Sequence, residues 1–202
     1  MEVMMKFANL KRVNHVKILV LLSSAVALAS CGDDIAQERG QSETQNVAVA
    51  TLTATSNSNA AGEVEFTSQG SDVVVTISAT GLSTGVHAVH IHENGDCSAA
   101  DASSAGGHFS PEGHDHGAPS DGPQQRHVGD LGNVLRSEQG VAKSRHADSV
   151  IALDGPNSIV GKAIVIHAES DDFVTQPGGD AGPRVACGVI EYEAADSEIA
   201  QL

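Results

Sequence analysis

The chain is poor in aromatic side chains: among 202 residues there is no Trp, one Tyr and four Phe. Beyond residue 30 only Phe66, Phe109, Phe173 and Tyr192 remain, so any core has to be aliphatic. Basic residues are also few, 11 Lys and Arg against 26 Asp and Glu, for a formal net charge of −15. A surface that acidic repels nucleic acid and anionic lipid. Cysteine occurs three times. The apolar run Ile18 to Ala29 has only twelve residues and contains Ser23 and Ser24, too short to cross a bilayer of ordinary thickness. No helical period stands out after it.

What the N-terminus does contain reads as an export signal. Lys6, Lys11, Arg12 and Lys17 precede the apolar run, and LASC (28–31) follows it. LASC resembles a bacterial lipobox, in which small residues precede a cysteine that is lipidated and becomes the new N-terminus. Residues 1–30 are therefore expected to be a lipoprotein signal peptide and Cys31 the lipidated residue. Position 32 is Gly, not the Asp that marks inner-membrane retention in enteric lipoproteins. The expected location is the periplasmic or cell-surface side of a bacterial membrane, with the lipid anchor as the only membrane contact. Removal of residues 1–30 leaves 7 basic and 25 acidic residues, a net charge of −18. With Cys31 committed to lipid, Cys97 and Cys187 suggest one disulfide in an exported protein. It would close a loop of about 90 residues, contributing roughly 4–5 kcal/mol in the chain-entropy picture.

Residues 31–45 are polar and patternless, and are expected to be a tether. Strand patterns then follow at 46–55, 62–68, 72–80, 87–92, 133–138, 141–146, 149–154, 162–168 and 185–193, separated by Gly, Asn and Ser breaks. They predict an all-β domain over 46–193, an eight-stranded Greek-key β-sandwich or barrel, with a C-terminal tail at 194–202. Two long irregular stretches, 93–132 and 169–184, exceed ordinary connections and are expected to be functional loops.

The chemistry concentrates in GVHAVHIHENGDC (85–97). Alternation puts His90 and His92 on one face of a strand, and Val89 and Ile91, with His87, on the other. Two imidazoles on one face can hold one ion, although an HxH pair also occurs as two solvent-exposed residues. The first long loop adds His108, His114, His116, His127 and Asp130, and the strand KAIVIHA adds His167. Imidazole suits copper and zinc, and a carboxylate joins well in a zinc tetrahedron.

GVHAVHIHENGDC, GGHFSP, RHVGDLGNV and GPRVACGVI, in this order, resemble the copper/zinc superoxide dismutase family over about residues 46–193. That enzyme is a standard example of a β-sandwich and of near-diffusion-limited catalysis. The resemblance implies one copper and one zinc ion per subunit. It implies copper ligands His90, His92, His108 and His167, and zinc ligands His108, His116, His127 and Asp130, with His108 bridging. His114 competes with His116 for its place. Asp171 would link His90 to His116, with Asp172 as its neighbour and alternative, and His87 would be structural. His146 is expected at the surface. Arg184, three residues before Cys187, would pair with the substrate anion above the metal and act with His108 in catalysis; Lys162 is a further steering candidate. The implied activity is the conversion of two superoxide ions to dioxygen and hydrogen peroxide by copper redox cycling, zinc being structural. The alternative is a periplasmic copper/zinc buffer on the same fold. A homodimer is compatible with either.

Overall fold

The computed structural model describes residues 46–193. The expectations for residues 1–45 and 194–202, including signal, lipidation at Cys31, tether and tail, lie outside the described residues. Nine strands run in the order β1 (Val47–Ala54), β2 (Ala61–Gln69), β3 (Asp72–Thr80), β4 (Val86–His92), β5 (Asp130–Leu135), β6 (Val141–Asp148), β7 (Ala163–His167), β8 (Arg184–Val189) and the two-residue β9 (Glu191–Tyr192). Among the described residues the only helical element is a single 3₁₀ turn, Ser103–Ala105, and no helix is long and apolar enough to cross a membrane.

The eight longer strands follow one another spatially as β5-β4-β7-β8-β1-β2-β3-β6, all antiparallel. Consecutive β3 and β4 do not pair; β6 returns to β3 and β7 returns to β4, which is the crossed connection of a Greek key. β1 closes one side by changing partner: residues 47–52 pair with β2, whereas Thr53 and Ala54 pair with Cys187 and Ala186 of β8. On the other side Arg136, the residue after β5, makes one isolated bridge to Ala142 of β6, so the barrel is nearly closed.

The interior is aliphatic as the composition requires, with Phe66 the one fully buried aromatic among residues such as Leu52, Ile77, Ile91, Ile164 and Ile166. β4 shows why its sequence is unusual. Val89 and Ile91 point into this core. His90 and His92, on the other face, are equally buried, because the loop between β4 and β5 covers that face of the sheet. Ala163 and Val165 of β7 lie beside them in register and pack with Ala102, Ala105 and Cys187 in a second small apolar cluster.

Four features depart from the sequence expectations. The single strand expected at 185–193 divides into β8 and β9, and β9 pairs with β1. The stretch 149–154 forms no strand, although Ile151 and Leu153 are buried in alternation. Its backbone is satisfied otherwise: Asp148 Oδ1 accepts from the N–H groups of Val150 and Ile151, and Asn157 Nδ2 donates to Val150 O. The strand expected at 133–138 begins three residues earlier and carries Asp130 as its first residue. His146 is half-buried on the inward-facing row of β6, not on the surface, with its Nε2 enclosed.

Candidate metal centre

The long loop between β4 and β5 returns to β4 through main-chain bonds. Phe109 N–H donates to Ile91 O, Ile91 N–H to Gly129 O and Gly129 N–H to Phe109 O, all at 2.8–2.9 Å. A Cβ at position 129 would collide with Ile91 O, so glycine is required for this approach. The result sets His108 and Asp130 beside His90 and His92. The pairing of β4 with β5 slips between Ala88 and His90, and that of β7 with β8 slips between Ile166 and His167. Both irregularities fall at histidines of the cluster, where a bulge re-aims a side chain.

Hydrogen-bond partners determine which ring nitrogens carry lone pairs, since a carbonyl or carboxylate can only accept. His92 Nδ1 donates to Gly106 O at 2.9 Å and His167 Nδ1 to Gly182 O at 3.1 Å. Their Nε2 atoms, left as lone pairs, face each other at 3.4 Å. His90 Nε2 donates to Asp171 Oδ2 at 2.8 Å, leaving Nδ1 buried without a partner. His116 Nε2 donates to the other oxygen, Asp171 Oδ1, at 2.9 Å. Asp171 thus joins His90 to His116.

A second convergence lies on the far side of His108. Asp130 Oδ2 is held by the N–H groups of His127 and Gly117 at 2.8 and 3.1 Å. Asp130 Oδ1 is left facing three Nδ1 atoms, those of His108, His116 and His127, at 2.9, 3.0 and 3.2 Å, and His127 Nδ1 lies 3.3 Å from His108 Nδ1. Donors about 2.0–2.1 Å from a tetrahedral zinc ion would lie about 3.3 Å apart. By mutual reach of donor atoms the groups are His90, His108, His116, Asp130 and His92, His108, His167. His108 belongs to both. His90 falls with the first group by distance, but its only free nitrogen, Nδ1, belongs to a ring whose centroid is 4.0 Å from that of His108 and 5.1 Å from that of His167.

Burial favours the neutral ring at three of the histidines and the carboxylates favour the charged ring at His116. Burial pushes His92 down to about 2, His167 to about 3 and His108 to about 4, the last against the opposing pull of Asp130. Burial also acts against the charge of His116, but its bonds to Asp130 and Asp171 outweigh this and raise it to about 9. Burial would raise both carboxyls, yet the imidazole hydrogen bonds hold Asp130 and Asp171 well below the usual carboxylate range.

The remaining expected residues divide clearly. His114 stays out of the cluster and bonds Glu112 at 2.9 Å, whereas His116 is in it. Asp172 accepts from Val174, Thr175 N–H and Thr175 Oγ1, and takes no part in the link that Asp171 makes. His87 lies with Nδ1 at His167 O and Nε2 at Ser83 O, 2.9 and 3.0 Å away, tying β4 to backbone on both sides. Cys97 and Cys187 form a disulfide, which fastens the β4–β5 loop to β8. That loop holds Arg184 in turn: its Nη1 and Nη2 donate to Ala102 O and Gly106 O at 2.5 and 2.6 Å. Arg184, His92, His108, His127, His167 and Gly178 line one open cleft of about 580 Å³. Lys162 is not in that lining; its ammonium sits 4.7 Å over the Phe109 ring.

Three residues were not singled out from the sequence. Arg126, fully buried, donates to Asp148 Oδ2 at 2.6 Å and to Asp130 O at 2.8 Å, pinning the 127–130 segment to β6. Asn133 exchanges two bonds with the backbone of Asp171, at 2.8 and 2.9 Å. Gln176 does the same for His116, at 2.9 Å each. An arginine next to a metal-type histidine was the one available signal; lone amides carry none.

Fold and cluster together define a Greek-key barrel protein with two adjoining groups of histidine and carboxylate donors that could each hold a metal ion. The chain matches the family model described as Copper/zinc superoxide dismutase (SODC) over residues 60–190, and it belongs to that family. It is also similar to a solved structure titled "Crystal Structure Analysis of the clock protein EA4", with 41% identity and a TM-score of 0.67 over 74% of this chain and 96% of that one.

Proposed function

We propose that this protein is a superoxide dismutase, converting two superoxide ions and two protons to dioxygen and hydrogen peroxide. Copper would be held by His90 Nδ1 and the Nε2 atoms of His92, His108 and His167. Zinc would be held by the Nδ1 atoms of His108, His116 and His127 and by Asp130 Oδ1. The observation that carries the reading is His108, which belongs to both donor groups and turns its Nδ1 toward Asp130. The donor chemistry fits: imidazole lone pairs suit copper and zinc, and Asp130 adds the carboxylate common in zinc sites.

Copper, when bound, supplies the one-electron couple that disproportionation needs. The chain's own residues do the rest. Gly106 O and Gly182 O fix the tautomers of His92 and His167, and Asp171 fixes those of His90 and His116. Arg184 spends one N–H of each terminal nitrogen on loop carbonyls, which aims the guanidinium at the cleft where an anion would bind. Its local positive charge would attract superoxide against a net charge of −18 after loss of residues 1–30; this family is an established example of such focusing. His108 lines the same cleft and is the imidazole placed to carry a proton to the reduced product.

The test is dialysis against a chelator followed by single-metal restoration. Dismutation should return with copper and not with zinc alone, while zinc restores thermal stability. Both metals bound without turnover would support the second reading, a copper/zinc buffer, which shares every ligand.

The export and lipidation reading extends the proposal: the protein would act on the periplasmic or cell-surface side of a bacterial membrane, anchored through Cys31. Support comes from the basic residues, apolar run and LASC of the sequence. A mature N-terminus at diacylated Cys31 by mass spectrometry is the expected result; a cytosolic protein with an intact N-terminus would overturn it.

A further inference from the structure

We propose that Gln176 is a positioning residue that locks His116 into the zinc-type donor set and so governs how long that set retains its metal. The inference rests on the reading of the Asp130 set as a zinc site.

His116 lies in the long loop between β4 and β5, away from any strand ladder. Its ring is held at Nε2 by Asp171, while Nδ1, buried and without a hydrogen bond, lies 3.0 Å from Asp130 Oδ1. Among the described residues its backbone has one partner, the side chain of Gln176, sixty positions further along the chain. Gln176 Oε1 accepts from His116 N–H and Gln176 Nε2 donates to His116 O, each at 2.9 Å. The side-chain amide thus imitates a peptide of a neighbouring strand.

Gln176 is itself exposed. A free glutamine there would keep its rotamers and bond to water; ordering it has an entropic cost that the two bonds must offset. The segment that follows it is also laid against the cluster. A Cβ at Gly178 would lie 3.4 Å from His108 Nε2, and one at Gly179 2.7 Å from His116 Nε2. The loop between β7 and β8 therefore grips His116 twice, by the ring through Asp171 and by the backbone through Gln176. Asn133 grips the backbone of Asp171 in the same two-point manner. Both members of the Asp171–His116 pair are thus clamped by an amide side chain. Release of a metal from the Asp130 set requires His116 to swing away, and the Gln176 bonds oppose that movement.

The test uses cobalt(II) as a visible probe of the zinc-type set, in the full protein with copper in the other set. Loss of the tetrahedral cobalt absorption to excess chelator gives the release rate, and hydrogen exchange at the His116 amide reports the bond itself. Gln176→Met keeps length and removes both bonds; release should quicken roughly tenfold, the lower end of what loss of a ligand's supporting contacts does, and the His116 amide should exchange faster. Gln176→Glu keeps the acceptor for His116 N–H and should fall between Met and wild type, with the amide still protected. Val174→Ala, at an exposed site two residues away, should match wild type. Release from Gln176→Met at the wild-type rate, or equal acceleration by Val174→Ala, would overturn the proposal. A wild-type protein that gives no tetrahedral cobalt spectrum would instead remove the zinc-site reading, and the proposal with it.

Discussion

His92 and His167 direct two unprotonated Nε2 atoms at each other across 3.4 Å, because a backbone carbonyl occupies the Nδ1 proton of each. Burial keeps both rings from taking a proton that would relieve the contact. Two lone pairs held this way are a demand for a cation, and the consequences can be measured residue by residue.

Asp171→Asn tests the link between His90 and His116. A carboxylate accepts from both rings; an amide accepts from one and presents N–H to the other, forcing that ring to turn its proton toward the metal side. Metal retention should weaken about 10- to 100-fold, as for other residues that orient ligands. Competition with a chromophoric chelator measures it; unchanged affinity at both sites would show that the link is passive.

Metal-free protein should lose stability on acidification. His92, His108 and His167 have folded values of about 2, 4 and 3, below the ~6.5 of an unfolded imidazole. Their contribution is present above pH ~6.5 and is lost as pH falls toward those folded values, because the unfolded chain then binds more protons. Asp130 and Asp171, also depressed, add a loss in the same direction at lower pH. His116, raised to about 9, has the opposite sign: its contribution is full below pH ~6.5 and fades as pH rises through 9. Melting temperatures of chelator-treated protein should therefore fall more steeply between pH 6.5 and 4.5 than between pH 7 and 9. A flat acid limb would contradict the burial of these three rings in neutral form.

Cys97→Ser releases the loop whose carbonyls hold Arg184. In the chain-entropy picture closing about 90 residues is worth roughly 4–5 kcal/mol, which denaturant titration would show as lost stability. The more specific outcome is a fall in dismutation with full metal content, since Ala102 O and Gly106 O no longer fix the guanidinium. Activity per bound copper equal to wild type would separate the disulfide from the arginine.

Arg126→Met leaves the buried Asp148 without its charge partner. Breaking a buried pair from one side costs about 3–5 kcal/mol. Adding Asp148→Leu should not restore stability, because Asp148 Oδ1 also serves the N–H groups of Val150 and Ile151. Full recovery in the double variant, read by chemical denaturation, would show that those two bonds contribute little.

Strands with alternating β-branched residues were legible in the sequence because their burial is local: β3 lies where the pattern of 72–80 places it. The stretch 149–154 had the same alternation, but a strand needs a neighbour, and its hydrogen bonds went to Asp148 and Asn157 instead. The histidines that converge follow from motif order, His116 included through the glycine after it; the contacts of His114 with Glu112 and of His116 with Asp171 appear only in the folded loops. Arg126, Asn133 and Gln176 were invisible for a related reason. Each acts on a backbone or buried partner brought close only by the folded loops.

The most direct measurement is superoxide decay by the copper- and zinc-loaded protein beside an Arg184→Ala variant, across a range of ionic strength. The account predicts fast, copper-dependent decay that slows with added salt and drops in the variant while its metal content stays the same. Both metals bound at full occupancy with no decay above that of buffer would contradict it and leave a metal-holding protein on a dismutase fold.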